Sequence, residues 1–251
     1  MGTERSSGVR RSPPGKCAPR AVVNCLLIPI LLSSCGGTPI RESVTPTQAH
    51  MYAHFDRAGE VHDALVRGEL DRAKAAGEWI ASHPEPRGLT DVPETFLFAM
   101  QGYATQVGQS NHLQEAATAA AHLGRTCGDC HREQSVEPRF LVGTAPPSGE
   151  GPKAEMALHI WASERMWEGL VGPGDHAWRS GAEALKHGWL DPHDVASDPG
   201  DRERIGELIR QVYALGTRAE GASDSAERAD IYGEFLNTCT ECHRLTAANI
   251  R

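Results

Sequence analysis

The sequence predicts an all-α protein built as two tandem small four-helix bundles. Three observations carry this expectation. The chain of 251 residues is rich in Ala, Glu and Arg and only 6% aromatic, a composition that favours helix over sheet. Apolar residues recur at helical spacing in eight stretches, four on either side of a segment rich in Pro and Gly. Each set of four opens on Met-x-x-His and closes on Thr-Cys-x-Asp/Glu-Cys-His-Arg, the mark of a tandem duplication.

In the first set the helices are predicted over 47–67, 69–82, 93–106 and 111–131. Gly68, the His83-Pro84-Glu85-Pro86 run and Gly108 break them. The second set spans 153–171, 174–187, 202–217 and 225–244, with breaks at Gly172-Pro173-Gly174, Asp191-Pro192 and Gly221. Met51 and Met156 lie 105 residues apart, Cys127 and Cys239 112 apart, so the second copy carries about one loop of extra chain. The first bundle is therefore placed at 47–135, a linker at 136–152 around Ala145-Pro146-Pro147-Ser148-Gly149, and the second bundle at 153–251.

Ahead of these lies a segment of another kind. Arg5, Arg10, Arg11, Lys16 and Arg20 precede a mainly apolar run over 21–32 that is too short to span a bilayer. The run ends in Leu32-Ser33-Ser34-Cys35-Gly36, which resembles the lipobox of bacterial lipoproteins. That resemblance implies a signal peptide over 1–34, acylation of Cys35 as the first mature residue and a tether over 35–46. The expected location is the periplasmic side of the inner or outer membrane, and Gly36 after the acylated residue favours the outer one. Losing 1–34 removes five basic residues and Glu4, which takes the formal charge from −8 to −12. An acidic surface disfavours nucleic acid and steers basic partners.

Four cysteines remain in the folded part, all in Cys-x-x-Cys pairs, and none is left over for a structural disulfide. On a helix, positions i, i+3 and i+4 share a face, so Cys127, Cys130 and His131 project together, as do Cys239, Cys242 and His243. Two thiols at this spacing can join the two vinyl groups of a haem, and the following histidine then becomes its proximal iron ligand. A thioredoxin-like dithiol or a zinc site made from both pairs accounts for neither histidine. Two covalently bound haem c groups are expected, one per bundle.

The distal ligands are read from periodicity. Met51, His54, Ala58, Val61 and Leu65 form one stripe of the first helix, and Met156, His159, Ser163, Met166 and Leu170 repeat it. His54 and His159 thus face the two bundle interiors and are the expected sixth ligands of low-spin iron. Met51 and Met156, one turn earlier, are the alternative. His50, His83, His112, His187 and His193 sit near helix ends and are expected in solvent, and Gly124 is expected to make room for a porphyrin.

The haem motifs and the helix plan resemble cytochrome c′, in which a four-helix bundle carries Cys-x-x-Cys-His near the end of its last helix. Here the resemblance applies twice and covers most of the chain after residue 46. It implies covalent haem on Cys127, Cys130, Cys239 and Cys242 with His131 and His243 on the iron. Cytochrome c′ carries an apolar residue at the distal position and five-coordinate iron, whereas this chain offers His54 and His159. The expected role is therefore an electron carrier exchanging electrons with redox protein partners. A nitric oxide or carbon monoxide binder with an open or displaceable distal site is the alternative, and a haem enzyme ranks last.

Overall fold

The computed structural model describes residues 44–83, 92–140, 145–187 and 190–246. The signal, Cys35 and most of the tether lie outside the described residues. Those described are all-helical: α1 (Pro46–Val66), α2 (Leu70–Ser82), α3 (Glu94–Gln109), α4 (Leu113–Glu133), α5 (Pro152–Val171), α6 (Asp175–Leu185), α7 (Pro192–Val195), α8 (Pro199–Gly221) and α9 (Ser225–Thr246).

Local chemistry sets these ends. Thr45 and Gln48 form a capping box at the start of α1, with bonds of 3.1 and 2.9 Å, and Pro46 fills the first helical position inside the expected tether. Gly68, at φ +74°, lets the chain turn out of α1, with Glu69 N–H bonded to the Ala64 carbonyl at 2.8 Å. α5 starts at Pro152, the last residue of the expected linker. Asp198 caps α8 by accepting from Gly200 and Asp201 N–H, so this helix begins three residues before the periodic pattern does. Asp224 does the same for α9 through Ala226 and Glu227.

In the first half α1, α2, α3 and α4 pack in sequence, and in the second α5, α6, α8 and α9 do likewise. The two halves do not stand apart. Residues 43–251 form one compact unit, and α4 packs against α9 more extensively than any other pair of helices. α1 also leans on α9, and α5 on α4. The crossing is close because α4 is lined with buried Ala116, Ala117, Ala120 and Ala121, and Gly233 of α9 brings its backbone against Thr118. One apolar core runs through both halves, with Val61, Leu65 and Leu123 from the first beside Trp167, Tyr232 and Phe235 from the second. Full burial of each such side chain contributes roughly 1.5–3 kcal/mol.

At the centre of this core His62 of α1 meets Ser163 of α5 at 2.9 Å. The Tyr232 hydroxyl of α9 donates to the Ser163 carbonyl at 2.9 Å. The His62 ring stacks on Trp167 and Tyr232, with centroids 5.4 and 6.2 Å away. The polar groups satisfy one another inside an apolar shell and so fix how the two halves are placed. The linker is also docked: Phe140 lies against Gly172 and has its ring 5.3 Å from that of Phe55.

Candidate functional site

Both Cys-x-x-Cys-His motifs occupy the last turns of long helices, Cys127 to His131 on α4 and Cys239 to His243 on α9. Burial pushes the Cys127 and Cys239 thiols up to about 12 and raises Cys130 and Cys242 as well. A reactive dithiol needs the opposite shift, towards thiolate. Nor do the two pairs converge. Among the described residues, the three-donor cluster of metal-ligand side chains is His50, His54 and His83, with no cysteine in it.

In the second half Cys239, Cys242 and His243 line an apolar pocket that the protein's own side chains largely fill, together with Val66 of α1. Met156, His159 and Ser163 of α5 and Leu208, Ile209 and Val212 of α8 line the same cavity. His159 and His243 are near enough for their charges to interact. Two thiols and one imidazole on one face, a second imidazole in the same apolar lining, and little else polar make a donor set that fits a covalently attached haem. Met156 lines the same cavity, so the alternative ligand lies close by.

The first half holds the same proximal set in a different setting. His131 borders a solvent-open cleft with Arg132, Phe140, Glu168 and Gly172. His54 is buried on α1, but its neighbours are His50, 4.1 Å between ring centroids, and His83 at the end of α2, at 5.3 Å. Trp79 stacks on His83 at 4.0 Å and meets His54 edge-on. Ring nitrogens of the three histidines all lie within 4.8 Å of one another, and neither nitrogen of His54 has a hydrogen-bond partner. Burial, then the charges of His50 and His83, lower His54 to about 4, so it is neutral and able to ligate at neutral pH.

This corrects the expectation that His50 and His83 are solvated: His50 is buried and His83 half-buried. The i, i+4 spacing placed His50 beside His54, but His83 joins them only because α2 packs back along α1. Gly124 is corrected too. The space it leaves is taken by the Trp167 ring, which would lie 2.5 Å from a Cβ there, and not by a cofactor.

The two motif histidines, His131 and His243, each have a backbone carbonyl beside the ring. His131 Nδ1 lies 2.8 Å from the Val171 carbonyl. A carbonyl only accepts, so Nδ1 carries the proton and Nε2 is left for a metal. His243 shares its pocket lining with Val66, whose carbonyl acts on the imidazole as an acceptor. Burial lowers both imidazoles and these bonds partly offset it. Comparison with known family models, with curated proteins and with solved structures returns no match for this chain.

Proposed function

We propose that this chain is a c-type dihaem cytochrome of two four-helix bundles that carries electrons at the periplasmic or outer-membrane surface. The observation that carries this reading is the second-half cavity, where Cys239, Cys242 and His243 share an apolar lining with His159. Haem bound there would supply an iron that takes up and gives back one electron at a time.

The chain's own residues do the rest. The cysteines hold the cofactor by two covalent bonds, at Cys239 and Cys242 and again at Cys127 and Cys130. His243 and His131 offer one ring nitrogen while the other is fixed on a carbonyl, which sets ring orientation and raises ligand basicity. His159 closes the second site from α5. In the first site the distal role falls to His54. The apolar lining from Leu208, Ile209 and Val212 keeps water from the second site and so helps set its potential. An acidic chain, of formal charge −8, suits basic redox protein partners. A lipid on Cys35 would keep it near the membrane, and no described helix is long and apolar enough to cross one.

One observation favours a second reading for the first site alone. His54 is engaged with His50 and His83, and His131 borders a cleft open to solvent, an arrangement that suits a small gas such as carbon monoxide. Absorption and EPR spectra of both oxidation states separate the two. Low-spin signals from both haems are expected of the carrier; a high-spin first haem that binds carbon monoxide at once would replace it there with the gas binder.

A further inference from the structure

The proximal bonds cross between the halves. His131 belongs to the first motif, yet its ring N–H reaches the last residue of α5, in the second half. His243 belongs to the second motif, and its partner Val66 is the last residue of α1, in the first half. The seats of these helix ends cross in the same way. A Cβ on Gly128, inside the first motif, would lie 2.1 Å from the Leu170 carbonyl of α5, so only glycine lets the helix end come so near. The end of α1 at Gly68 likewise rests against the carbonyl of Thr240, inside the second motif, 3.7 Å from a Cβ built there.

Each first helix therefore has two jobs. α1 carries His54 near its middle and the acceptor for His243 at its C-terminal end; α5 carries His159 and the acceptor for His131 in the same way. In both helices the acceptor lies twelve positions after the histidine, about 18 Å along a rigid rod. The acceptor is a helix C-terminal carbonyl, the negative end of the helix dipole, which strengthens the hold on an imidazole N–H.

We propose that the two haem sites exchange axial supports. On the reading of the chain as a dihaem cytochrome, Val66 is a positioning residue for the second haem and Val171 for the first, each acting through its backbone carbonyl on the proximal histidine of the opposite half. A motion of α1 or α5 then alters the distal side of one haem and the proximal side of the other, which couples the two potentials reciprocally.

The test uses the full haem-loaded chain, with each potential assigned from variants lacking one cysteine pair. Gly68→Ala strains the φ +74° turn that ends α1, and Gly169→Ala drives a Cβ to 2.5 Å from the Trp178 backbone and displaces the end of α5. A weaker proximal bond makes the imidazole less basic and shifts the potential positive. Gly68→Ala should shift the second haem more than the first, and Gly169→Ala the first more than the second. Shifts confined to the haem of the mutated half, or equal at both, would overturn the proposal.

Should either variant fail to fold, proton NMR of the unmutated, fully reduced protein decides. Contacts are expected from the His131 ring N–H to Val171 and from the His243 ring N–H to Val66. Contacts within each half instead would sink it. A chain that carries no haem by mass spectrometry fails the cytochrome reading itself, and the same ring-proton contacts then report on the crossing alone.

Discussion

The two halves repeat one plan and finish it differently. In the second half His159, the proposed distal ligand, lines the same cavity as the second Cys-x-x-Cys-His motif. In the first half its counterpart, His54, is gathered with His50 and His83 beside Trp79. The difference comes from the residues around it. Position 155, the counterpart of His50, is Glu, and the histidine that follows α6, His187, lies exposed 2.9 Å from Glu183. A duplicated scaffold can thus hold two sites of the same proximal chemistry and unlike distal chemistry, and two sites of different potential are the use to which such a difference lends itself.

The largest test of this contrast is to remove one site at a time. Cys127→Ala/Cys130→Ala and Cys239→Ala/Cys242→Ala should each leave one haem on the chain by intact mass. A chain that keeps two haems after either change would break the assignment of the motifs. Next comes the distal side. His159→Ala should abolish the bis-histidine low-spin signal of the second haem, because no imidazole other than His159 and His243 lines that cavity, and His159→Ala with Met156→Ala should make it fully high-spin. His54→Ala should leave the first haem largely low-spin, since His50 and His83 stand beside it, and only the triple change should open it. Equal loss of low-spin EPR signal in the two single variants would erase the proposed asymmetry.

A smaller effect concerns what joins the halves. Trp167→Ala empties the space that Gly124 leaves and removes the ring on which His62 stacks. A loss of about 3–5 kcal/mol in chemical denaturation is expected, in one transition shared by both halves. Two transitions with only one shifted would show that the core is not common.

The smallest expected effect follows pH. Burial holds His62 at about 4, well below its ordinary 6.5, with the nearby Asp63 only partly opposing. Between those values the unfolded chain binds a proton that the folded one refuses. Stability should therefore fall as pH drops from 6.5 towards 4, by up to roughly 3 kcal/mol. His62→Gln should flatten that part of the profile; an unchanged slope would assign it to other groups.

Much of this was legible beforehand, and the reasons differ by element. The eight long helices follow from apolar spacing and from breaks at Gly68 and Gly172, since propensity and punctuation act locally, whereas Gly108, expected as a break, lies inside α3 where it lets Glu78 of α2 come close. α7, with four residues, is too short to show a period, and α8 began early because Asp198 and Pro199 cap and start it without apolar residues. The two motifs could be placed on helix ends because their spacing is itself helical. The shared core could not be foreseen: the stripe on α4 shows that a face is buried, but not that α9 covers it. For the same reason Gly124 was read as room for a cofactor when it is room for Trp167 of the other half. His83 escaped because closeness between α1 and α2 is a property of their pairing, which sequence position alone does not express, whereas the i, i+4 spacing of His50 and His54 was legible.

The central claim is tested most directly by digesting the mature chain and weighing the two peptides that contain Cys127 to His131 and Cys239 to His243. One haem on each peptide, joined through both of its cysteines, is the expected result. Two unmodified peptides with free thiols, from protein made in a host able to attach haem, would contradict the claim that this is a dihaem cytochrome.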